Sequence, residues 1–457
     1  MDHLKPGSAD ATPLTPLAAD ELAGWLDGQP PEIRAWLEAG AFKAKAGSIL
    51  RLPDAAGRPG RVVAGLGDAE DLWAWAGLPA KLGAGSYAVD RPLDPARATR
   101  AATGWALGSY AFERYKKREN GVASLVWPKE ADQAAATRTA EAVALVRDLI
   151  NTPANDMGPE ELAEAARQLG RRHKAQVRVI VGDDLLKANY PAIHAVGRAS
   201  ARPPRLIDLR WGKGGHPKVT LVGKGVCFDS GGLDIKPSAG MKIMKKDMGG
   251  AANMLGLAAM IMDADLPVRL RVLIPAVENS ISGDAMRPLD VLRTRKGLTV
   301  EVGNTDAEGR IILCDALAEA DSEQPDLLLD AATLTGAARV ALGPDLPALF
   351  ANDDGLAEGL LRHGVAEADP LWRLPLHAPY RKMLDSDVAD LNNVSEGGFA
   401  GAVTAALFLQ SFVSRETKWA HVDLYAWNAA SRPGRPRGGE AQFIRAAFAM
   451  LRERYGR

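Results

Sequence analysis

The sequence predicts an α/β protein of two domains, a smaller N-terminal α/β domain and a larger C-terminal α/β domain with a mixed central sheet covered by helices. Three observations support this prediction. The chain has 457 residues, which is too long for one hydrophobic core at roughly 150 residues per domain. Short strand-like and helix-like segments alternate along it. Several strand-like segments are continuously apolar, as expected when helices cover a sheet on both faces.

The N-terminal domain is predicted to span residues 1–139. Its first 20 residues are rich in Pro, Ala, Thr and Asp, which is typical of a loose arm. Strands are predicted at residues 48–52 and 61–66, where apolar runs are separated by Gly and Pro. Apolar residues recur at helical spacing over residues 97–119, so we expect one long connecting helix there.

The second domain is predicted to span residues 140–457. A helix over residues 141–150 breaks at the sequence N-T-P-A-N, and Gly158-Pro159-Glu160-Glu161 is a helix start signal. The strands that we predict after it are residues 176–181, 205–209, 218–222, 268–277, 298–302 and 326–332. The predicted helices are residues 248–263, 309–322 and 400–414.

Composition and charge exclude several classes of protein. Lys and Arg number 56 and Asp and Glu number 57, which disfavours a mainly electrostatic binder of nucleic acid or of a membrane surface. The cysteines, Cys227 and Cys314, cannot form a disulfide framework. The start of the chain lacks an apolar leader, and the uncharged run 248–262 is too short to span a membrane. We therefore expect a cytoplasmic protein without a membrane partner.

Two segments place charged residues among glycines directly after apolar strands. They are residues 223–250 and residues 304–310. The carboxyl ends of strands in α/β sheets are where such folds bind ligands. Glycine at these positions lets the backbone approach a ligand closely.

Four carboxylates in these segments could converge: Asp229, Asp247, Asp306 and Glu308. Four negative charges packed together repel each other unless cations neutralise them, and two divalent ions would do so, as in two-metal hydrolytic sites. The alternative interpretation is that they are solvated loop charges and helix caps. Asp247 in particular precedes a predicted helix and could cap its N-terminus.

Other catalytic chemistries lack their signatures. The sequence contains no H-E-x-x-H motif and no G-x-S-x-G nucleophile elbow. Neither a complete dinucleotide-binding loop nor a phosphate-binding P-loop occurs. His421, which lies in an apolar segment, is predicted to be a hydrogen-bonded core histidine rather than a metal ligand.

The same segments resemble a known family. N-T-D-A-E-G-R at residues 304–310, G-K-G-V-C-F-D-S-G-G at 223–232 and K-D-M-G-G-A-A at 246–252 are similar, in order and spacing, to the leucyl aminopeptidase family of dinuclear metallopeptidases. Residues 148–155 and 330–337 also resemble segments of that family. The resemblance covers about residues 140–457. It implies a metal-dependent exo-aminopeptidase that acts on peptides with a free N-terminus, and a homohexamer built as a dimer of trimers.

The resemblance also implies a set of metal ligands. One ion would be held by Lys224, Asp229, Asp247 and Glu308, and the other by Asp229, Asp306 and Glu308. Zn²⁺ or Mn²⁺ is expected, and Mg²⁺ or Co²⁺ also suits oxygen ligands with one amine. A ligating lysine must be neutral, so the pKa of Lys224 would be strongly lowered beside two cations.

Further roles come from the same resemblance. Lys236, kept as an ammonium, would polarise the scissile carbonyl. Arg310 would hold a bicarbonate ion that acts as general base. The substrate groove would be lined by Met244, Asn304, Thr333, Leu334 and Gly336.

The sequence departs from the family pattern at two places. Ile311 replaces a usual leucine, which should not affect chemistry. Tyr425, Trp427 and Asn428 are bulkier or more polar than the small residues and methionine of the family. Either they reshape the pocket for the first side chain of the substrate, or they turn into the core or a subunit contact.

Two other functions stay open. One is the hydrolysis of another bond, such as a phosphoester. The other is a non-enzymatic DNA-binding or architectural role, for which the basic stretch 432–439 could contact phosphate. Charge balance and the lack of interleaved aromatic residues there favour a solvated loop.

Overall fold

The computed structural model describes residues 3–7, 10–54, 56–119 and 121–456. The chain forms two compact units. The first contains Met1–Ala144 with Asn428–Arg437, and the second contains Leu145–Trp427 with Gly438–Arg457. Both combine helices with sheets, which confirms the predicted α/β class. No helix among the described residues has the length and apolar character needed to cross a membrane.

The first unit contains one sheet and several helices. Its strands are β1 (Leu4–Lys5), β2 (Thr12–Ala18), β3 (Ile49–Pro53), β4 (Pro59–Gly67), β5 (Gly85–Val89) and β6 (Ala123–Val126). Its helices are α1 (Leu22–Asp27), α2 (Pro31–Ala39), α3 (Leu72–Ala76), α4 (Leu78–Leu82) and α5 (Pro95–Ser109), followed by α6 (Gln133–Asn151), within which the two units divide. The sheet order is β1-β6-β5-β2-β4-β3, with only the β3–β4 pairing antiparallel.

The predicted loose arm is wrong for much of its length. Residues 12–18 form β2, which lies between β5 and β4 in the sheet. Leu14 and Leu17 are fully buried there, and this burial outweighs the ladder hydrogen bonds that Pro13 and Pro16 cannot donate. The composition therefore misled the prediction. Residues 1, 2, 8 and 9 lie outside the described residues.

The long connecting helix is also shorter than predicted. Helix α5 ends at Ser109, because the backbone of Tyr110 is extended. The guanidinium of Arg118 folds back and donates to the Ser109 carbonyl at 3.1 Å, which satisfies an open carbonyl in the last turn. Tyr115, which continues the helical spacing in the sequence, is exposed. A helix that continued beyond Ser109 would therefore have no buried apolar face to stabilise it.

The second unit contains the larger sheet. Its first elements are α7 (Pro159–His173), β7 (Gln176–Val181), α8 (Asp184–Lys187), α9 (Pro191–Gly197), β8 (Arg205–Trp211), β9 (Lys218–Gly223), β10 (Gly225–Asp229), α10 (Ser238–Met241), a 3₁₀ helix (Met244–Met248), α11 (Gly249–Asp263) and β11 (Arg269–Asn279). The next are β12 (Val291–Arg293), β13 (Thr299–Glu301), α12 (Glu308–Ser322), β14 (Leu327–Ala332), α13 (Gly336–Leu342), β15 (Ala348–Ala351) and α14 (Asp354–Ala366). The last are β16 (Trp372–Arg373), a 3₁₀ helix (Ala378–Leu384), β17 (Leu391–Asn392), α15 (Gly401–Gln410), β18 (Trp419–Asp423), β19 (Trp427–Asn428), β20 (Gly438–Gly439) and α16 (Ile444–Tyr455).

The main sheet is mixed, as predicted. Its order is β16-β15-β18-β14-β9-β11-β8-β7, and β10 pairs with the end of β11. Strands β18, β14, β9, β11 and β10 run parallel, whereas β15, β8 and β7 supply antiparallel pairings. Each strand predicted in this domain is present, with ends shifted by at most a few residues. The carboxyl ends of the central strands therefore lie at one edge.

Helices α11 and α12 both pack on β9 and β11. Helix α11 is apolar around most of its circumference and almost wholly buried, as a helix enclosed by other elements must be. Helix α7 starts at Pro159, and the Gly158 backbone N–H donates to Glu161 Oε2 at 2.9 Å. The helix start predicted from Gly158-Pro159-Glu160-Glu161 is thus confirmed.

Candidate active site

The predicted metal ligands lie near the carboxyl ends of the central strands. Lys224 follows β9 directly, and Asp229 is the last residue of β10. Asp306 lies just before α12, and Glu308 is its first residue. Asp247 lies on the 3₁₀ helix that leads into α11. Ligands from separate parts of the sequence are therefore placed at the edge where α/β sheets bind small molecules.

Three carboxylates meet at this edge. One oxygen from each of Asp229, Asp306 and Glu308 lies within 4.8 Å of the others. Burial, followed by repulsion from Asp229, raises the pKa of Glu308 to about 8 and that of Asp306 to about 6. Glu308 Oε2 is buried and has no hydrogen-bond partner within the described chain. A divalent cation would satisfy this oxygen and relieve the repulsion, so the donor set fits a metal ion.

Lys224 lies against two of these acids. Its Nζ is 2.8 Å from Asp247 Oδ2 and 2.9 Å from Glu308 Oε1, and it donates to the Thr333 carbonyl at 3.1 Å. Burial alone lowers the pKa of this ammonium, but the two carboxylates outweigh burial and raise the pKa above its ordinary value. A cation among the carboxylates would compete with that proton, so metal binding through Lys224 would release it.

Asp247 does not cap the following helix. The cap position of α11 is Met248, and no side chain caps it. The carboxylate of Asp247 instead pairs with Lys224 and accepts from Thr333 Oγ1 at 2.7 Å. Burial by itself raises the pKa of Asp247, but the charges of Lys224 and Lys246 and the hydrogen bond from Thr333 outweigh burial and hold the pKa below its ordinary value. Asp247 is therefore an anion turned toward the other predicted ligands.

Two motif glycines make room for these groups. A Cβ at Gly309 would lie 2.5 Å from Lys224 Cε, so the lysine side chain occupies the space that another residue would need. A Cβ at Gly250 would lie 2.1 Å from the backbone oxygen of Ala331. Both glycines are required by close approach.

Lys236 lies on the other side of the carboxylates. Its Nζ is 2.7 Å from Asp229 Oδ2 and also pairs with Asp306 Oδ1. Burial lowers the pKa of this lysine, but the neighbouring carboxylates outweigh burial and raise it. The side chain is 14% exposed, more than that of Lys224 at 4%. Lys236 is thus an ammonium that a ligand at the carboxylates can reach.

Asn279 supports the carboxylate cluster and was not predicted as a site residue. Its Nδ2 donates to Asp229 Oδ1 at 2.9 Å and to the Thr305 carbonyl at 3.1 Å. It thereby ties the end of β11 to both acidic segments. One feature of the sequence could have identified Asn279: it is an amide residue at the end of a long apolar strand, and that strand pairs with the one that carries Asp229.

Arg310 lies in the first turn of α12 and is buried. Its Nη1 donates to the Asn393 carbonyl at 2.5 Å, while its Nε is buried without a hydrogen-bond partner in the described part of the chain. Burial lowers the pKa of this guanidinium to about 10. A buried cation with an open donor suits a small anion.

Asn393 was also missed. It is fully buried, and its Oδ1 accepts from the backbone N–H groups of Gly303 and Asn304 at 2.8 and 3.2 Å. Its Nδ2 donates to the carbonyls of Asn304 and Ala307 at 2.8 and 3.3 Å. One amide therefore fixes the loop that carries Asp306, and only the three-dimensional pairing of distant segments could identify it.

Two of the predicted groove residues contact the candidate ligands. Thr333 bonds to Asp247 as described, and its backbone oxygen accepts from Lys224. Asn304 Oδ1 accepts from the backbone N–H of Asp306 at 2.7 Å. Thr333 and Asn304 therefore help to orient the carboxylates of Asp247 and Asp306.

The remaining groove residues lie on neighbouring elements. Leu334 donates its backbone N–H to Asp423 Oδ1 at 3.0 Å. Gly336 begins α13, and a Cβ there would meet no atom within 4 Å. Met244 begins the 3₁₀ helix that carries Asp247.

His421 is a buried core residue, as predicted. Its Nδ1 lies 2.5 Å from Asp330 Oδ1, and its ring stacks near Phe350. Asp330 also accepts from Trp419 Nε1 at 2.7 Å. The histidine is thus engaged in a buried polar pair between adjacent strands.

The three residues that depart from the family pattern have different surroundings. Tyr425 and Trp427 are half-buried, and the Trp427 ring centroid lies 5.7 Å from Lys245 Nζ. Asn428 is turned toward the following loop, where its Nδ2 donates to the Pro436 carbonyl at 3.1 Å. The reshaped pocket stays a prediction.

Comparison with known proteins assigns both parts of the chain. The profile of the cytosol aminopeptidase family, catalytic domain, matches residues 144–447, and that of the M17 aminopeptidase N-terminal domain matches residues 12–128. A probable cytosol aminopeptidase of Geobacter sp. (strain M21) is 41% identical over 391 residues, which are 81% of this chain and 79% of the relative.

Solved structures agree with this assignment. The crystal structure of a cytosol aminopeptidase from Coxiella burnetii is 52% identical, with a TM-score of 0.96 and 100% of each chain covered. The bottromycin maturation enzyme BotP in complex with Mn is 35% identical, with a TM-score of 0.88, covering 97% of this chain and 99% of that one. The chain therefore belongs to the M17 cytosol aminopeptidase family, and it is a leucyl-aminopeptidase-type metallo-exopeptidase.

Proposed function

We propose that this enzyme removes the first residue of unblocked peptides by means of two divalent cations held at the strand edge of the second unit. The observation that supports this most directly is the cluster of Asp229, Asp306 and Glu308, whose ligand oxygens lie within 4.8 Å of one another. Such a group is strongly repulsive without cations. When bound, divalent cations supply Lewis acidity and make a water molecule nucleophilic near neutral pH.

The ligands divide into two overlapping sets. Lys224, Asp229, Asp247 and Glu308 would hold one ion, and Asp229, Asp306 and Glu308 the other. The ion pairs of Lys224 with Asp247 and Glu308 support the first set. Asp229 and Glu308 belong to both sets, so they would bridge the ions. Zn²⁺ and Mn²⁺ are the expected metals, since each accepts oxygen ligands with one amine, and BotP has been solved in complex with Mn.

Lys236 and Arg310 act on the substrate side of this mechanism. The ammonium of Lys236 would donate to the scissile carbonyl oxygen and stabilise the negative charge that develops there. Arg310 would hold a bicarbonate ion as general base, with its unpaired Nε available to the anion. The free amine of the peptide would bind beside Asp247, which accounts for removal of only the first residue.

The test is hydrolysis of leucine p-nitroanilide after chelation and after re-addition of Zn²⁺, Mn²⁺, Mg²⁺ or Co²⁺ singly. We expect activity to disappear on chelation and to return with metal. Asp306→Ala and Lys236→Ala should each abolish it. N-acetyl-leucine p-nitroanilide is the control, because an exopeptidase that binds the free amine should not hydrolyse it. Activity that survives both substitutions, or equal cleavage of the blocked substrate, would overturn the mechanism.

We also propose a cytoplasmic homohexamer, a dimer of trimers. The assembly is supported by family membership and by large apolar side chains that are exposed in the single chain, including Phe399 and Val340. A cytoplasmic location is supported by the names of the relatives and by the free, buried cysteines. Light scattering on the metal-loaded protein checks the assembly, and a monomeric mass would contradict it.

The basic stretch 432–439 does not lead us to propose nucleic-acid binding. The Arg435 guanidinium carbon lies 3.8 Å from the Trp73 ring centroid, and Arg432 donates to Asn428 Oδ1 at 3.0 Å. Both cations are therefore engaged within the first unit.

A further inference from the structure

A cavity of about 230 Å³ opens at the edge of the main sheet opposite the carboxylate cluster. Its walls come from the amino ends of β9 and β11, the carboxyl end of β8, the start of β7 and the residues that follow α7 and α12. Lys218 begins β9 and Lys224 follows its end, so the two edges lie roughly 20 Å apart at about 3.3 Å for each strand residue. The cavity is therefore separate from the candidate active site. We call it the basic cavity.

Cationic side chains dominate the lining of the basic cavity. They belong to Lys174, Arg210, Lys218, Arg269 and Arg271. Of the described residues that line it, one, Glu323, carries a carboxylate. A cleft that is lined mainly by one sign of charge and walled by protein focuses its field on whatever enters it. The basic cavity should therefore attract anions.

The strand register places these cations beside one another. Arg210 of β8 is the cross-strand partner of Arg271 of β11, and Arg269 of β11 is that of Lys218 of β9. Because Arg269 and Arg271 are two residues apart, their side chains leave the same face of the sheet. Like charges directly opposite each other on neighbouring strands are destabilising. Two such pairs side by side do not serve the pairing of the strands, which favours a role in binding.

Carboxylates neutralise the first of these pairs. Arg271 Nη2 lies 2.8 Å from Asp208 Oδ2 and 2.7 Å from Glu319 Oε1. Arg210 Nη1 lies 2.9 Å from Glu323 Oε1, which is also 3.3 Å from Arg271 Nη1. Arg271 is buried. Arg210 and Arg271 thus form a wall of the basic cavity that ion pairs hold in place.

The second pair lies nearer the solvent. Arg269 is exposed and Lys218 is half-buried. Lys218 Nζ donates to the Glu323 carbonyl at 2.8 Å, and the Lys218 backbone N–H donates to Asp326 Oδ2 at 2.5 Å. Lys174, at the end of α7, is a further exposed cation. These three cations are the ones that a ligand entering from the solvent would meet first.

The charges around the basic cavity leave a positive excess. Among the described residues, the five cations of the lining face four carboxylates, Asp208, Glu319, Glu323 and Asp326. Glu319 is also shared with Arg295, a cation outside the lining. The carboxylates contact Arg210, Arg271 and the backbone of Lys218, so the excess lies at the exposed side chains of Lys174 and Arg269.

A phosphate group matches this arrangement. The planar fork of an arginine binds two phosphate oxygens at once, and lysine binds phosphate as a compact point charge. Arg269 supplies the fork, and Lys174 and Lys218 supply the ammonium groups. The volume of about 230 Å³ also leaves room for part of a molecule to which the phosphate is attached.

We propose that the basic cavity is a binding site for the phosphate group of a small molecule, which Arg269, Lys174 and Lys218 hold between them. The site lies at the opposite edge of the sheet from the candidate metal ligands. Its occupation therefore requires neither bound metal nor a peptide, and it adds a binding activity to that of the peptidase.

The test is equilibrium dialysis of the metal-loaded enzyme against radiolabelled inorganic phosphate at low ionic strength. We expect phosphate to bind this site with a Kd below about 1 mM, and added NaCl to weaken binding because it screens the exposed cations. Arg269→Gln should raise the Kd about tenfold or more, since it removes a charge-assisted hydrogen bond. Lys174→Gln should raise it about threefold or more. Arg415→Gln, which changes another exposed arginine, is the matched control and should leave the Kd unchanged.

Hydrolysis of leucine p-nitroanilide separates this site from the candidate active site. Phosphate bound to the metal ions would compete with the substrate, and its binding would survive Arg269→Gln. The Arg269→Gln enzyme should retain kcat/KM within about twofold of the wild type. Absence of phosphate binding by the wild type, or binding that is unchanged in both Arg269→Gln and Lys174→Gln, would refute the site.

Displacement of the labelled phosphate by glucose 6-phosphate distinguishes the source of the phosphate group. Displacement at a lower concentration than unlabelled phosphate requires would support the site and identify a phosphate ester as its occupant. Displacement only at a similar or higher concentration would support the site as one for free phosphate.

Discussion

Replacing Asn393 by alanine should loosen the loop that carries Asp306. The substitution removes four buried hydrogen bonds, to the backbone groups of Gly303, Asn304 and Ala307. At roughly 1 kcal/mol for each bond the loss is about 4 kcal/mol. Two of the bonds are long, at 3.2 and 3.3 Å, so about 3 kcal/mol is a better expectation. The second unit has about 300 residues, so this loss lowers Tm by roughly 4–6 °C.

The assay is thermal unfolding of the metal-free protein, because bound metal would add its own stabilisation. The matched control is Asn392→Ala. Asn392 is half-buried, accepts from the Val394 backbone at 3.0 Å and donates to Glu301 at 3.3 Å. We expect a Tm loss of only about 1–2 °C for the control. Equal losses in the two variants would refute the conclusion that the Asn393 amide holds this loop.

Three other substitutions test the site. Asn279→Ala frees the Asp229 carboxylate and should weaken Mn²⁺ binding about 10- to 100-fold by calorimetry; unchanged affinity would count against its supporting role. The carboxyl of Glu308 has an ordinary pKa of 4.5 and a pKa of about 8 in the folded chain, so the folded state binds the extra proton. Metal-free protein should thus lose stability as pH rises from about 5 to 8, and Glu308→Gln should flatten that slope in denaturant titrations; an unchanged slope would exclude Glu308 as its origin. Gly250→Ala places a Cβ 2.1 Å from the Ala331 oxygen and should cost about 3 kcal/mol in denaturant unfolding; a neutral result would show that the backbone adjusts.

Much of the second unit could be predicted because its apolar strands are covered on both faces. Residues 219–222 are mostly apolar and buried within β9, and Asp229 ends the apolar strand β10. Charged residues after these strands pointed to the edge where Asp306 and Glu308 meet Asp229. In this unit the apolar pattern of the sequence and the burial in the fold indicate the same elements.

The first unit was harder to predict because local composition and tertiary burial disagree. Strand β2 contains Pro13 and Pro16, and only pairing with two neighbours makes it a strand. The end of α5 depends on Arg118, nine residues beyond Ser109.

Asn393 could not be found from sequence pattern for a related reason. It follows a short strand and lies 90 residues from Gly303 in the loop and 83 residues from Arg310, both of which it contacts. Its hydrogen bonds are visible only after the chain has folded.

The close approach of Gly309 to Lys224 has a consequence for how this site can change during evolution. Any side chain at position 309 would displace the lysine, whereas a shorter residue at position 224 would open space for one. The two positions are therefore coupled: an alanine at 309 requires the Lys224 side chain to move away from Asp247 and Glu308, with which it pairs. Because Lys224 is a candidate metal ligand, we expect a change at position 309 to weaken metal binding unless position 224 changes with it.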